Sequence, residues 1–216
     1  MRRVRALLIL SVLLLLIAPV LAQASCDAAL LVIDVQNWFL AWHPWITASG
    51  EEILPAIQAL LEMARAGGVH IIYIRDLSLD LRGDNQTTLA IPEEIAARDG
   101  DAVFTKLSGD ALSNPDLVEY LEETGITRLL ISGIASDGCV QSTFRSAYRA
   151  GYEILIVTDA HAHSAGEARE TQQMNRTWLG WGLEGEPMAA IDWASFSCLD
   201  DGQGLESSES IVETGS

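Results

Sequence analysis

The chain has 216 residues, of which 30 are acidic and 13 basic, so its formal net charge at pH 7 is −17. This charge argues against nucleic acids and anionic membrane surfaces as partners, although it says little about a small substrate. The length suffices for one domain with a full hydrophobic core.

Residues 1–24 have the composition of a secretory signal peptide. A basic start, MRRVR, precedes an apolar run over 7–21, and small residues at 22–24 resemble a cleavage site. A retained membrane anchor is disfavoured because the apolar run is short for a bilayer. A lipid on Cys26 is disfavoured because Gln23 stands where a lipoprotein signal carries an aliphatic residue. We expect a secreted or periplasmic protein without a stable membrane partner after leader cleavage.

Three cysteines remain beyond the leader: Cys26, Cys139 and Cys198. An odd count in an oxidising compartment suggests one pair and one free thiol. We expect Cys26 to pair with Cys198 and Cys139 to stay free. Three unpaired thiols are an alternative that the sequence leaves open.

Apolar runs and helical patterns alternate along the predicted domain, residues 27–199. The runs predict strands at 28–35, 69–76, 102–106, 128–134, 153–160 and 187–191. Mostly apolar strands that alternate with helices indicate an α/β fold with a parallel sheet covered on both faces. The remaining segment, 200–216, is acidic and poor in large apolar residues, so we expect a disordered tail.

Start and stop signals place the first helices. Ser49 and Glu52 resemble a capping box that begins a helix ending near 67–68. Asn114 is a predicted N-cap with Pro115 at the first helical position. A short helix is predicted near 92–97.

Two further helices follow in the second half of the chain. One begins at Cys139 and ends at Gly151, and its apolar face is predicted to hold four residues: Val140, Phe144, Ala147 and Tyr148. The other is predicted around 165–179.

Three chemically capable residues fall at the carboxyl ends of predicted strands: Asp34, Lys106 and Cys139. In parallel sheets, sites form beyond these ends. Asp34 interrupts an apolar run and needs a partner, for which Lys106 is the candidate. A thiol at a helix start is expected to have a lowered pKa, and the adjacent N–H groups can hold an oxyanion. An ordinary ion pair between Asp34 and Lys106 is the alternative.

Three sequence blocks carry a family resemblance: VIDVQNWF at 32–39, FTKLSGDAL at 104–112, and SGIASDGCV with the helix and strand that follow it at 132–160. They resemble the isochorismatase-like cysteine hydrolases, in the metal-free branch related to nicotinamidases and N-carbamoylsarcosine amidases. The resemblance implies a three-layer αβα sandwich with a six-stranded, mostly parallel sheet.

The resemblance also implies the site. Asp34, Lys106 and Cys139 would form a catalytic triad. A cis peptide would join Ile134 to Ala135, and the amides of Ala135 and Cys139 would form the oxyanion hole. We expect five residues to contact the substrate: Gln36, which matches the family's D-x-Q position, and Trp38, Phe39, Trp42 and Ile134. For Gln36 a structural role is an equal alternative.

The implied activity is hydrolysis of a C–N bond in a small amide, imide or ureido compound, through a thioester on Cys139. No cofactor is expected, and homo-oligomers are common in the family. The alternative is a non-catalytic secreted protein that keeps the fold and binds a small molecule. An intact set of Asp34, Lys106 and Cys139 argues against that alternative, because binding alone needs none of them together.

The chain departs from the family in two places. The nicotinamidase branch has a metal-binding Asp-x-His after strand two; here Asp76 is present, but no histidine follows it before His161, so we expect no metal. His161 and His163 are expected to be packing or solvent-exposed residues. The second departure is Trp38, which replaces the acidic residue that usually follows D-x-Q-N in the family. The aromatic stretch that it begins is predicted to shape a pocket or a subunit contact, with plain packing as the alternative; its members are Trp38, Phe39, Trp42 and Trp45.

Overall fold

The computed structural model describes residues 26–41, 45–78 and 88–193. The expectations for the leader at 1–24 and the tail at 200–216 therefore lie outside the described residues, as do those for Trp42 and Cys198. Within the described ranges, no helix is both long enough and apolar enough to cross a membrane.

Six parallel strands form one sheet in the order β3-β2-β1-β4-β5-β6. The strands are β1 (Ala28–Ile33), β2 (His70–Asp76), β3 (Ala102–Lys106), β4 (Arg128–Ile134), β5 (Glu153–Ala162) and β6 (Glu184–Glu186). Every residue of β1 is buried, as expected for a central strand covered on both faces.

Helices cover both faces of the sheet. They are α1 (Asn37–Leu40), α2 (Ile53–Ala66), α3 (Pro115–Glu123), α4 (Gln141–Ala150) and α5 (Ala168–Gly180). Alternate residues of β1 enter two separate cores: Leu30 packs with residues of α2, whereas Leu31 packs with residues of α3, α4 and α5. This strand alternation confirms the three-layer αβα sandwich.

The cap of α3 agrees with its sequence signal. Asn114 accepts a hydrogen bond from the N–H of Asp116 at 2.9 Å, and Pro115 occupies the first turn. The capping box predicted for α2 is wrong. Its N-cap is Glu52 rather than Ser49, because residues 46–52 fold back on themselves: Ile46 pairs with Glu52 in an antiparallel bridge.

The sixth strand lies earlier than predicted. Glu184–Glu186 pair with β5, whereas Met188–Ala190 form a turn of 3₁₀ helix. Pro187 has no N–H to donate to a ladder, and the N–H of Met188 bonds to the Asp159 carboxylate at 2.7 Å instead.

The buried face of α4 is narrower than predicted. Val140, Phe144 and Ala147 are buried, but Tyr148 is 66% exposed. Successive helical residues are rotated by about 100°, which carries Tyr148 past the edge of the stripe that faces the sheet.

A close approach between β1 and β4 lies just before the site. Gly133 has φ +115°, and a Cβ there would lie 2.1 Å from the carbonyl oxygen of Ile33. Only glycine fits this position. The close approach places the residues that follow β1 and β4 next to each other.

Candidate active site

The strand order explains why distant residues meet. Because β3, β2 and β1 are neighbours, Lys106, Asp76 and Asp34 lie at or just beyond the ends of three consecutive strands, and Cys139 follows the next strand, β4. The Lys106 Nζ lies 2.8 Å from Asp34 Oδ2, 3.3 Å from Asp76 Oδ2 and 3.3 Å from Cys139 Sγ. We call these four residues the charged cluster.

Lys106 holds the charged cluster together. Its side chain is wholly buried, and Nζ also donates to the carbonyl of Ser108 at 3.0 Å. Burial opposes its charge, but Asp34 and Cys139 more than compensate, so its pKa is raised above the ordinary value. Lys106 is the only lysine in the chain. A lysine that occurs once in a chain and ends an apolar strand is a signal that the sequence alone contains.

Asp34 occupies a sharp turn immediately after β1. Its φ is +54°, its N–H bonds to the carbonyl of Ile74 at 2.9 Å, and it is fully buried. Burial raises the pKa of Asp34 from its ordinary value of 3.8 to about 6, although Lys106 and the nearby Cys139 thiol act in the opposite direction. A carboxylate with a pKa near the working pH is suited to accepting and returning a proton.

Residues 135–140 form the turn that contains Cys139, the predicted nucleophile, and we call them the nucleophile turn. The carbonyl of Ala135 accepts hydrogen bonds from the N–H of Gly138 at 2.9 Å and of Val140 at 3.2 Å. The turn is π-helical with a non-helical Gly138, and α4 begins only at Gln141. The peptide bond between Ile134 and Ala135 is cis.

The prediction that the helix start lowers the thiol pKa is wrong. Burial and the carboxylate of Asp34 raise the pKa of Cys139 to about 12, while Lys106 lowers it less than these effects raise it. Cys139 precedes the regular helix instead of opening it, so the helix terminus does not outweigh burial. The resting site therefore contains a neutral thiol beside a potential base.

Gln36 is fully buried and bonds to backbone. Its Nε2 donates to the carbonyl of Leu89 at 2.8 Å, and its Oε1 accepts from the N–H of Asp76 at 2.7 Å. These contacts support the structural alternative for Gln36, because its amide fastens the end of β2 to the segment after residue 88. Ile134, also expected at the substrate, is fully buried at the end of β4.

The aromatic stretch after β1 divides into two environments. Trp38 and Phe39 are partly buried and meet edge to face, with ring centroids 5.2 Å apart. Trp45 is 6% exposed, belongs to the core and donates from Nε1 to the carbonyl of Phe39 at 2.5 Å. Trp45 is therefore a packing residue, whereas Trp38 and Phe39 remain candidates for the pocket wall.

Asp76 belongs to the site, although in the sequence it matches only the first residue of an Asp-x-His metal motif. Ligand atoms of Asp34, Asp76 and Cys139 all lie within 4.8 Å of one another. The Lys106 ammonium is within 3.3 Å of all three side chains. A divalent cation placed among these three side chains would lie next to the positive charge of Lys106 and be repelled by it. The donor set therefore fits the buried lysine rather than a metal ion.

His161 and His163 differ in environment. His161 is fully buried, with Nδ1 2.6 Å from Ser136 Oγ and Nε2 2.7 Å from Asn175 Oδ1, and burial lowers its pKa to about 4. His163 Nδ1 accepts from the N–H of Ala165 at 3.1 Å, and its Nε2 lies 3.6 Å from Asp137. His161 is the packing histidine of the two, and both of its ring nitrogens are engaged.

The cysteines fall into two states among the described residues. Cys26 is disulfide-bonded and Cys139 is free. Three unpaired thiols, the alternative left open by the sequence, is therefore wrong. The predicted partner of Cys26, Cys198, lies outside the described residues.

Comparison with known proteins supports the resemblance. The family model described as Isochorismatase domain matches residues 28–180. Streptothricin hydrolase from Streptomyces noursei is 29% identical over 150 residues, covering 67% of this chain and 58% of that protein's length. Ureidoacrylate amidohydrolase RutB from Stutzerimonas stutzeri (strain A1501) is 24% identical over 201 residues, covering 74% of this chain and 81% of that protein.

A solved structure shows the same fold. The cysteine hydrolase from Pseudomonas syringae pv. phaseolicola 1448A has a TM-score of 0.68 at 21% identity, covering 81% of this chain and 95% of that one. The family match extends over well more than half of the chain and includes every member of the charged cluster. The chain therefore belongs to the isochorismatase-like hydrolase family.

Proposed function

We propose that this protein is a cysteine amidohydrolase that cleaves a C–N bond of a small amide, imide or ureido compound through a thioester on Cys139. The observation that carries the proposal is a free, partly buried thiol whose Sγ lies 3.3 Å from Lys106 Nζ and within 4.8 Å of the Asp34 carboxylate. The names of the relatives support the bond type, since ureidoacrylate amidohydrolase is named for amide-type hydrolysis.

Acylation starts from the neutral thiol. Asp34 takes the proton of Cys139 as Sγ attacks the substrate carbonyl, which forms a C–S bond and moves the carbonyl electron pair onto oxygen. The charge of Lys106 lies 3.3 Å from Sγ and stabilises negative charge that develops on sulfur. The raised pKa of Asp34, about 6, makes it a stronger base than an exposed aspartate.

The tetrahedral intermediate then collapses. The N–H groups of Ala135 and Cys139 are proposed to stabilise its oxyanion. As the C–N bond breaks, the proton held by Asp34 passes to the leaving nitrogen, and the acyl group remains on Cys139 as a thioester. A water molecule that gives a proton to Asp34 attacks this thioester, and the thiol regains that proton when the C–S bond breaks.

We propose an extracytoplasmic location for the protein. The composition of residues 1–24 supports a cleaved leader, and the disulfide at Cys26 is of the kind that persists in oxidising compartments. N-terminal sequencing of protein from the culture medium and from the periplasm tests this. A chain that keeps residues 1–24 in the cytoplasm contradicts it.

We also propose a homo-oligomer, which exposed apolar side chains at Tyr148, Leu179 and Trp181 support. Light scattering after size-exclusion chromatography measures the mass directly. A monomer at all concentrations tested contradicts this part of the proposal.

The central experiment screens amides, imides and ureido compounds, following product formation by mass spectrometry and released ammonia. Intact-mass analysis after rapid acid quench looks for an acyl adduct on Cys139. Cys139→Ser should nearly abolish turnover while leaving the unfolding transition in place. Retained activity in that variant excludes the covalent mechanism. Absence of adduct and product across the panel, with ligand-induced stabilisation of the fold, favours the non-catalytic binder instead.

A further inference from the structure

We propose that His161 is a positioning residue for the nucleophile turn: its neutral ring accepts a hydrogen bond from Ser136 and so holds the amides of Ala135 and Cys139 in place. The inference rests on the proposed function and adds to it two residues, His161 and Asn175, that lie outside the charged cluster. We call Ser136, His161 and Asn175 the neutral network.

An irregularity in the sheet brings His161 to this point. Ile131 of β4 pairs with Ile156 of β5, but Gly133 pairs with His161, so β5 advances five residues where β4 advances two. The extra residues bulge out of the ladder, and bulges re-aim side chains near functional sites. His161 therefore lies beside the last residues of β4, directly before the nucleophile turn.

The direction of each hydrogen bond follows from a carbonyl at the far end of the neutral network. Asn175 Nδ2 lies 2.8 Å from the carbonyl oxygen of Thr158, so it is the donating NH₂ group. Its Oδ1 must then accept from His161 Nε2, at 2.7 Å. A neutral imidazole carries one proton, which leaves Nδ1 as the acceptor for the Ser136 hydroxyl at 2.6 Å.

Packing holds the ring in that orientation. The His161 ring lies 4.9 Å from the ring of Trp178, which in turn meets Phe144 of α4 edge to face at 5.2 Å. His161, Ser136 and Trp178 are each no more than 1% exposed. Burial keeps His161 in its neutral form, which is the form that can accept from Ser136.

A second, more exposed contact joins the nucleophile turn to the loop that follows β5. The Asp137 carboxylate accepts from the N–H of Ser164 at 3.0 Å and from its hydroxyl at 2.5 Å. The nucleophile turn is thus tied to β5 through Ser136 and to the loop after β5 through Asp137. Of these two contacts, only the hydrogen bond of Ser136 is fully buried, so water does not compete for it.

The position of Ser136 explains why its hydrogen bond to His161 affects the site. It follows Ala135, the first residue beyond the cis bond, and precedes Cys139 in the same turn. Without the His161 acceptor, the Ser136 hydroxyl would be a buried donor lacking its partner, and the turn would move to satisfy it. Catalytic geometry is sensitive to such movement: a displacement of about 1 Å costs on the order of 100-fold in rate.

The first test reads the tautomer without any substrate. In protein labelled with ¹⁵N-histidine, His161 should show a protonated Nε2 and an unprotonated Nδ1 at neutral pH. Assignment uses His161→Phe, and His70→Asn serves as the matched control, because His70 lies at the opposite end of β2. A protonated Nδ1, or a doubly protonated ring at neutral pH, overturns the proposal. This result is independent of whether the protein is an amidohydrolase.

The second test measures positioning at the thiol. Ser136→Ala removes the donor and Ser136→Thr keeps it. We expect kcat to fall about 10-fold in Ser136→Ala with KM little changed, and to recover in Ser136→Thr. His161→Phe, which removes both hydrogen bonds, should lose on the order of 100-fold. Equal kcat in Ser136→Ala and the wild type overturns the inference, and so does a loss in Ser136→Thr that equals the loss in Ser136→Ala.

A third measurement separates this inference from the proposed function. The rate of Cys139 alkylation by iodoacetamide needs no substrate and should change in Ser136→Ala and His161→Phe, but not in His70→Asn. Unfolding curves measured in parallel show whether each variant is folded. If no compound forms an acyl adduct on the wild type, the proposed function fails, while the tautomer and the alkylation rates still decide the role of His161. Unchanged alkylation in both folded variants contradicts that role.

Discussion

The charged cluster and the neutral network flank the nucleophile turn, and they differ in the kind of contact that holds them: ion pairs in the first and neutral hydrogen bonds in the second. Strand β1 lies on one side of β4 and strand β5 on the other, so Asp34 and Lys106 approach the turn from one side and His161 from the other. The charged cluster combines a lysine, two carboxyl groups and a thiol. The neutral network is a one-way chain of hydrogen bonds that ends on the carbonyl of Thr158.

Burial acts on the two groups with different results. In the charged cluster it raises the pKa of Asp34 to about 6 and of Cys139 to about 12, which leaves the proton on the thiol and a carboxylate beside it. In the neutral network burial lowers the pKa of His161 to about 4, which removes it from proton exchange at neutral pH. The proposed proton transfer and the proposed positioning thus lie on separate sides of one turn.

The largest expected effect comes from removing the proton acceptor. Asp34→Asn should lower kcat on the order of 10³-fold, because general-base catalysis contributes roughly 10²–10⁴-fold. Steady-state kinetics on whichever compound the screen identifies measures it. The histidine spectrum should stay unchanged, since Asp34 and His161 are on opposite sides of β4. A shifted His161 tautomer in this variant would contradict the separation of the two groups.

Lys106→Met should affect stability most strongly. Removing one partner of a buried ion pair costs about 3–5 kcal/mol, because Asp34 and Asp76 lose their shared cation. The pH dependence of this stability loss follows from Asp34, whose pKa in the folded protein, about 6, already exceeds its ordinary value of 3.8. Without Lys106 this pKa rises further. The deficit relative to the wild type therefore grows as pH rises above about 6, where Asp34 of the wild type ionises and Asp34 of the variant still holds its proton.

Urea unfolding of Lys106→Met at several pH values measures this slope. Lys106→Arg, which keeps the charge, is the matched control and should show a smaller loss. A deficit that shrinks as pH rises would show that Asp34 does not rely on Lys106.

Asn175→Asp should bring charge into the neutral network. A carboxylate beside Nε2 favours the imidazolium, so the pKa of His161 should rise from about 4 by roughly one unit or more. His163 opposes this shift through its own charge when protonated. Histidine NMR titration measures it, with Asn175→Leu as the uncharged comparison. An unaltered His161 pKa in Asn175→Asp would show that Asn175 is not its partner.

The smallest effect is expected for Asp76→Asn. The charge of Asp76 raises the pKa of Asp34 and of Lys106, so its removal should lower both. The acid limb of kcat/KM, which reflects deprotonation of Asp34 near pH 6, should move to lower pH by less than about one unit. Because Lys106 is the only lysine, a single ¹⁵Nζ signal reports its titration directly. An acid limb that moves to higher pH contradicts this electrostatic role.

The sequence contained strong signals for the fold and for three members of the site. Continuous apolar runs predicted strands buried on both faces, and the charged residues Asp34 and Lys106 at their ends had few ways to be satisfied except by each other. Local signals failed where tertiary contacts competed with them. Ser49 carried the capping pattern, but the Ile46–Glu52 bridge moved the start of α2, and Pro187 interrupted the predicted sixth strand.

The amino-acid sequence by itself determined the chemistry available: a free thiol, a solitary lysine and an aspartate, each at a strand end. Only the tertiary structure decided how those groups are charged and which others join them. The pKa of Cys139 depends on burial and on Asp34, Asp76 enters the site through the order of the strands, and the bulge in β5 brings His161 to Ser136. These are long-range contacts, and a pattern read along the chain carries no record of the distance between segments that meet only when it folds.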